Sequence, residues 1–183
     1  MLFPVHSTDM NFRQRKSGMC LQSINKDGCF AMIRKATKND LSRIAEILIF
    51  NYRLNFYPIF KADEYYFDEL QVPAIMKKFE TELDSLYVYD DGVVKGFIKV
   101  EGTYIARLFV EPVLQNASIG SKLLEYAVKE HRADHLWALE KNEKAIRFYE
   151  RHGFVLTGEK KLEEDTTEYL VRMKRLQGEF DIC

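Results

Sequence analysis

Cysteine is scarce in this chain. Between Met32 and the last residue, Cys183, there is none, and the other two, Cys20 and Cys29, stand near the start. No pair has zinc-ribbon or Cys-x-x-Cys spacing, which argues against a disulfide scaffold and against a metal ribbon. Charge of one sign is lacking too: 28 acidic residues face 27 basic ones, for a formal net charge of -1. Without a dense Lys/Arg block, neither nucleic acid nor an anionic membrane surface is an expected partner. Apolar runs are short, as at 47–50, against the roughly 18 residues of a membrane helix. The nucleotide-binding patterns G-x-x-x-x-G-K-[ST] and G-x-G-x-x-G are both absent. His131 and His135 are four apart, but Arg132-Ala133-Asp134 between them lacks the Glu of a helical zinc motif. They are read as surface histidines, and no metal is expected. A soluble, cytoplasmic protein is the expectation.

What is present suffices for one core: 183 residues, 46% of them hydrophobic, make a single domain the default. Residues 1–31 are rich in Ser, Asn, Lys and Arg, without a sustained period or a signal-peptide core. They are expected to be an N-terminal extension, with Met32 as the natural start; an ordered N-terminal arm is the alternative. The folded domain is expected over 32–176, followed by a tail at 177–183. Within it, a strand opens at 32–37 and residues 37–40 start a helix whose apolar positions are Leu41, Ile44, Ala45, Leu48 and Ile49. A second helical pattern covers 62–83, interrupted near Pro73. Asp90-Asp91-Gly92 joins strands 86–89 and 93–100 in a hairpin. Strand 104–111, helix 118–131, strand 136–140, helix 143–151 and strands 153–159 and 166–174 complete the reading. Antiparallel hairpins followed by a β-α-β unit predict an α+β fold, a mixed and mostly antiparallel sheet flanked by helices.

The informative stretch is 108–149. A loop from Gln115 to Gly120 lies between a strand and a helix, where the first helical turn leaves N–H groups unpaired and the macrodipole adds partial positive charge. Ala117, Ser118, Gly120 and Ser121 are small enough for a phosphate to approach the backbone. Taken alone, such a corner is more often plain structure than a ligand site.

The loop does not stand alone. Leu108-Phe109-Val110-Glu111-Pro112 precedes it, and Asn142-x-x-Ala145-x-x-Phe148-Tyr149-x-x-x-Gly153-Phe154 follows. With the Asp91-Gly92-Val93-Val94-Lys95-Gly96-Phe97 hairpin, this combination resembles the GNAT superfamily of acetyl-CoA-dependent N-acetyltransferases across about 32–175. The resemblance implies a β-α-β core binding acetyl-CoA as cosubstrate. The pyrophosphate would lie on Gln115, Asn116, Ala117, Ser118, Ile119, Gly120 and Ser121, and the pantetheine along Leu108, Phe109 and Val110. Asn142, Ala145 and Phe148 would flank it, with the Val110 N–H as oxyanion donor. In the family pattern Gln/Arg-x-x-Gly-x-Gly/Ala, the first glycine is here Ser118. If that position needs φ > 0, the serine costs roughly 1 kcal/mol.

Tyr149 matches the family's general acid, and a phenol with a reference pKa of about 10 is protonated at neutral pH. The alternative is a core aromatic. The base is open: strand 104–110 carries no carboxylate, only Arg107, and Glu140 ranks ahead of Glu101 and Glu111. Eight of the chain's 24 aromatic residues fall between Phe50 and Phe67. Tyr52, Phe56, Tyr57 and Tyr104 are candidates for an acceptor pocket, by cation–π contact with an ammonium, with core packing as the alternative. The expectation is thus direct acetyl transfer to an amine of a small molecule, peptide or protein, by a monomer or homodimer. The competing expectation is a non-catalytic acyl-CoA-binding or sensory module.

Overall fold

The computed structural model describes residues 32–164 and 166–176; residues 1–31 and 177–183, expected to be an N-terminal extension and a tail, lie outside the described residues. Strand β1 (Ile33–Lys35) leads through a short 3-10 turn into helix α1 (Leu41–Asn55). The turn is fixed by Asp40, whose Oδ2 accepts from both the N–H and the hydroxyl of Thr37 at 2.8 Å. Arg34 grips the same carboxylate with two nitrogens at 2.8 Å, tying strand to helix start. Next come the one-turn α2 (Tyr57–Phe60), a π-helical stretch (Glu64–Glu69) and α3 (Val72–Glu80). Over 62–83 the expected helical pattern is broken just ahead of Pro73, as the sequence suggests, into the π-helical stretch and α3. Pro73 sits in the first turn of α3, where its missing N–H costs nothing.

Strands β2 (Leu86–Asp90), β3 (Val94–Glu101) and β4 (Tyr104–Val110) form a meander. Helix α4 (Ile119–His131) crosses to β5 (His135–Leu139), α5 (Glu143–Glu150) follows, and β6 (Phe154–Leu162) and β7 (Tyr169–Arg175) close the sheet. The order is β1-β2-β3-β4-β5-β7-β6, antiparallel except for β4–β5, as the α+β reading predicted. The alternation of β3 divides the core. Ile98 and Val100 face α4 with Leu123, Leu124 and Leu136. Phe97 faces α1 and α3, packed among Ile44, Leu48 and Phe79. Gly96 lets α4 settle on the sheet, since a Cβ there would meet Ile119 and Leu123 at 3.2 Å and the Phe109 carbonyl at 3.0 Å.

The register slips once in the middle. Lys99 pairs with Arg107 and Val100 with Ile105, so β4 holds one extra residue, Ala106. This bulge reverses the alternation along β4. Ile105 lies in the α4-side core, whereas Arg107 is turned to the α1–α3 side with Phe109.

Candidate active site

Beyond the bulge, β4 leaves β5. The two strands pair only at Tyr104↔His135 and Ile105↔Leu136, and β4 continues to Val110 on β3 alone. The Glu111 N–H donates to the Lys95 carbonyl at 2.8 Å. Because antiparallel partners bond at alternate positions, the N–H and C=O groups of Leu108 and Val110 then point away from β3, into the gap. The Val110 carbonyl is met there by Asn51 Nδ2 at 2.9 Å.

The gap opens into a cavity of about 330 Å³. One wall is the start of α4. A 3-10 turn (Pro112–Leu114) leads to Asn116 at φ +69° and Ser118 at φ +59°, both left-handed, and Ser118 is the N-cap. The first helical bond of α4 runs from the Lys122 N–H to the Ser118 carbonyl at 3.1 Å. The N–H groups of Ile119, Gly120 and Ser121 consequently have no partner within the helix. Phe148 and Val110 close over Gly120, lying 3.5 and 3.6 Å from where a Cβ would stand.

The opposite wall is α5. Asn142 caps it, its Oδ1 accepting from the Ala145 N–H at 3.2 Å, which leaves its NH2 group to offer to the cavity. His152 Nδ1 lies 2.8 Å from the Phe148 carbonyl and Nε2 lies 3.0 Å from Ser121 Oγ. A carbonyl only accepts, so Nδ1 carries the proton, and in the neutral ring Nε2 accepts from the serine hydroxyl. Lys144 donates to Gln115 Oε1 at 2.6 Å and Gln115 Nε2 donates to Asn51 Oδ1 at 3.1 Å, a chain joining α5, the loop and α1. Tyr149 lines the cavity, edge-on to Phe148 and Phe154 at 5.2 and 5.8 Å. Burial, with a smaller contribution from Tyr104, pushes its phenol well above the usual tyrosine range. The hydroxyl therefore stays protonated at physiological pH.

Most of the expected cofactor residues converge here: Leu108, Phe109, Val110, Gln115, Asn116, Ser118, Gly120, Ser121, Asn142, Ala145 and Phe148 all line the cavity. Two do not. Ala117 is exposed on the loop, its N–H bonded to the Leu114 carbonyl, and the Ile119 side chain is buried in the core. None of the three candidate bases reaches the cavity. Glu140 is paired with Lys160, Glu101 with Lys99 and Glu111 with Arg43. Among the described residues no Asp or Glu lines it, whereas Lys144, Arg151 and His152 do.

The expected acceptor residues are split. Phe56 lines the cavity, in edge contact with Tyr52 at 5.1 Å and Phe109 at 6.4 Å. Tyr52 stands behind it, on a smaller cavity. Tyr57 is drawn off by Asp63, which its hydroxyl meets at 2.8 Å, and by Tyr66 and Phe67. Tyr104 packs on His135 at the closed end of the gap. The sequence reading did not single out Asn51, Asn55, Lys144, Arg151 or His152. Asn51 did carry a signal: an amide three and four residues beyond Leu48 and Ile47, on the apolar face of α1, must find partners in the core.

Comparison with known proteins agrees with this geometry. The family described as Acetyltransferase (GNAT) domain matches residues 82–156. The peptidyl-lysine N-acetyltransferase YiaC of Escherichia coli is 30% identical over 124 residues, covering 67% of this chain and 82% of YiaC. Among solved structures, apo YjaB of Escherichia coli superposes with a TM-score of 0.63 at 19% identity, over 79% of this chain and 96% of YjaB. The PaiA N-acetyltransferase of Thermoplasma acidophilum, in complex with coenzyme A, gives 0.58 at 18% identity, over 78% and 97%. At these identities the two structures speak for the fold.

Proposed function

The chain belongs to the GNAT superfamily of N-acetyltransferases, and from that premise we propose that it moves the acetyl group of acetyl-CoA directly to an amine, with Tyr149 as general acid. The observation that carries this is the pairing, in one cavity that no carboxylate among the described residues lines, of an unpaired helix start with a protonated, half-buried phenol. The first-turn N–H groups of α4 take the pyrophosphate, with Lys144 and Arg151 supplying charge at the rim. The pantetheine amides take the place that a neighbouring strand would have beside Leu108–Val110.

Chemistry then follows from position. A neutral amine attacks the thioester carbonyl, whose oxygen gathers negative charge against the Val110 N–H. As the carbon–sulfur bond breaks, Tyr149 gives its proton to the thiolate, and the phenolate regains one from water to close the cycle. The amine's surplus proton leaves to water, because every candidate carboxylate is held in an ion pair outside the cavity. No cysteine stands between Met32 and Cys183, so a thiol-borne intermediate has no obvious nucleophile there, which fits direct transfer. The name of YiaC specifies peptidyl-lysine, and a primary alkyl amine of that kind is the acceptor class we propose.

Thiol release from acetyl-CoA, followed over a panel of alkyl amines and lysine peptides, tests the reading. Acceptor-dependent release, with the acetamide found by mass spectrometry, is the expected result. Saturable coenzyme A binding without release for any acceptor would favour a non-catalytic acyl-CoA-binding module. The strained Ser118 and the absence of a carboxylate in the cavity speak for that second reading.

A further inference from the structure

The proposed reaction makes no use of Arg107. Arg107 is turned by the Ala106 bulge onto the α1–α3 side of the sheet, where its guanidinium carbon lies 5.7 Å from the centre of the buried Phe79 ring. Its Nε is buried without a hydrogen-bond partner. The cross-strand neighbour Lys99 occupies the nearby carboxylates, pairing with Glu82 at 2.8 Å and Glu101 at 2.6 Å. Tyr104 and Tyr65 feel the charges of both Arg107 and Glu163. Even so, among the described residues Arg107 has no ion pair with Glu163 or with any other carboxylate.

Arg107 borders a second cavity of about 40 Å³, beside Lys78, Tyr52 and Tyr65. Lys78 likewise has no ion pair among the described residues, and its position on α3 brings a second positive charge to the rim. A space of this size admits one small polar group rather than a whole ligand. Two cations and two phenols select an anion, and the planar fork of an arginine suits a carboxylate. The partition between this space and the larger cavity is the Tyr52–Phe56–Phe109 cluster, with centroids 5.1 to 6.4 Å apart. Along β4, the step from Arg107 to Val110 is about 10 Å.

We propose that Arg107, with Lys78, binds a carboxylate carried by the acceptor, several bonds away from the amine that is acetylated. This rests on the acetyltransferase reading above for the position of the amine. It makes the acceptor an ω-amino carboxylate or a lysine beside an acidic side chain, and it gives Arg107 the task of fixing which amine enters.

Matched pairs of acceptors test it: 4-aminobutanoate and 6-aminohexanoate against their carboxamides, and lysine peptides with Glu or Gln beside the lysine. In the wild-type protein the acid of a pair is expected to have a KM about 10- to 100-fold below that of its amide, the range of one charge-assisted hydrogen bond. Arg107→Gln collapses that ratio toward one, Arg107→Lys restores part of it, and Lys78→Gln, a surface change, reduces it. The free acids and the Glu peptides tell the two sources apart. Equal KM values for acid and amide, or an Arg107→Gln variant that keeps the ratio, would overturn the proposal.

A second measurement does not depend on turnover. In the presence of coenzyme A, 6-acetamidohexanoate should saturably shift the Arg107 Nε–H resonance, and its carboxamide should not. That shift without thiol release from any amine would sink the transferase reading and leave the anion site standing. Thiol release without the shift would do the reverse.

Discussion

Asn51→Ala tests whether the cavity is held in shape from α1. Asn51 is 2% exposed, and its NH2 group donates to the Ile47 carbonyl at 2.8 Å and the Val110 carbonyl at 2.9 Å. Its Oδ1 receives Gln115 Nε2 at 3.1 Å. The Ile47 carbonyl lies one helical turn back and keeps its own helix bond in the variant. The Val110 carbonyl has no such substitute, and leaving it unpaired costs about 1–3 kcal/mol. Losing the Gln115 bond adds about 1 kcal/mol, while alanine's better helix propensity returns about 0.5 kcal/mol. A net loss of about 2 kcal/mol should lower Tm by roughly 4–8 °C for a chain of this size. The functional effect follows from the same bonds. With the Val110 peptide and Gln115 both released, the acetyl-CoA KM should rise about 5-fold or more, the equivalent of one net hydrogen bond. Thermal unfolding and steady-state kinetics measure the two effects. A double-mutant cycle with Gln115→Ala should show a coupling of about 0.5–1.5 kcal/mol. A Tm drop under about 1 °C, or no coupling, would refute the role given to Asn51.

Three further outcomes are expected. Tyr149→Phe should lower kcat about 100-fold with the acetyl-CoA KM little changed; unaltered turnover would remove the phenol from the mechanism. Ser118→Gly keeps the backbone donor and relieves left-handed strain of about 1 kcal/mol at φ +59°, so Tm should rise by roughly 2–4 °C, and a fall would give the hydroxyl a structural role. Asp40 is held down from 3.8 to about 2, chiefly by Arg34. A depressed folded-state pKa gives stability that is complete above about pH 4 and lost as pH falls toward 2. Because Arg34 is partly exposed, we expect about 1–2 kcal/mol from this source. Urea titrations at pH 2 to 5 should show that Asp40→Asn flattens the profile by this amount.

That the residues proposed for the cofactor share one cavity was legible because their signals are local. Small residues at 117, 118, 120 and 121 and an amide before α5 mark a loop and two helix starts whatever lies around them, and eleven of the thirteen residues expected there line the cavity. The side proposed for the acceptor depends on register and capture between distant segments, which leave no local trace. Nothing at Ala106 announces that β4 will bulge against Lys99, yet that bulge decides where Arg107 faces. Tyr57 reads like its aromatic neighbours until Asp63 takes its hydroxyl. Glu140 lies in the right loop, but Lys160 reaches it from β6. The π-helical turn at 64–69 is likewise a product of packing, closed by the Leu70 N–H on the Tyr65 carbonyl.

The short β4–β5 pairing reaches beyond the cavity it opens. Two register pairs, Tyr104↔His135 and Ile105↔Leu136, are the ladder between a four-stranded half-sheet and a three-stranded one. Each half is laced internally by longer antiparallel ladders. The fold therefore has a seam, and its weakest line of backbone bonding runs where the proposed cosubstrate lies. A bound pantetheine would work there as a removable rung. Its binding free energy would then appear as resistance of the two halves to parting, and cofactor occupancy and the cooperativity of unfolding become one quantity seen from two sides.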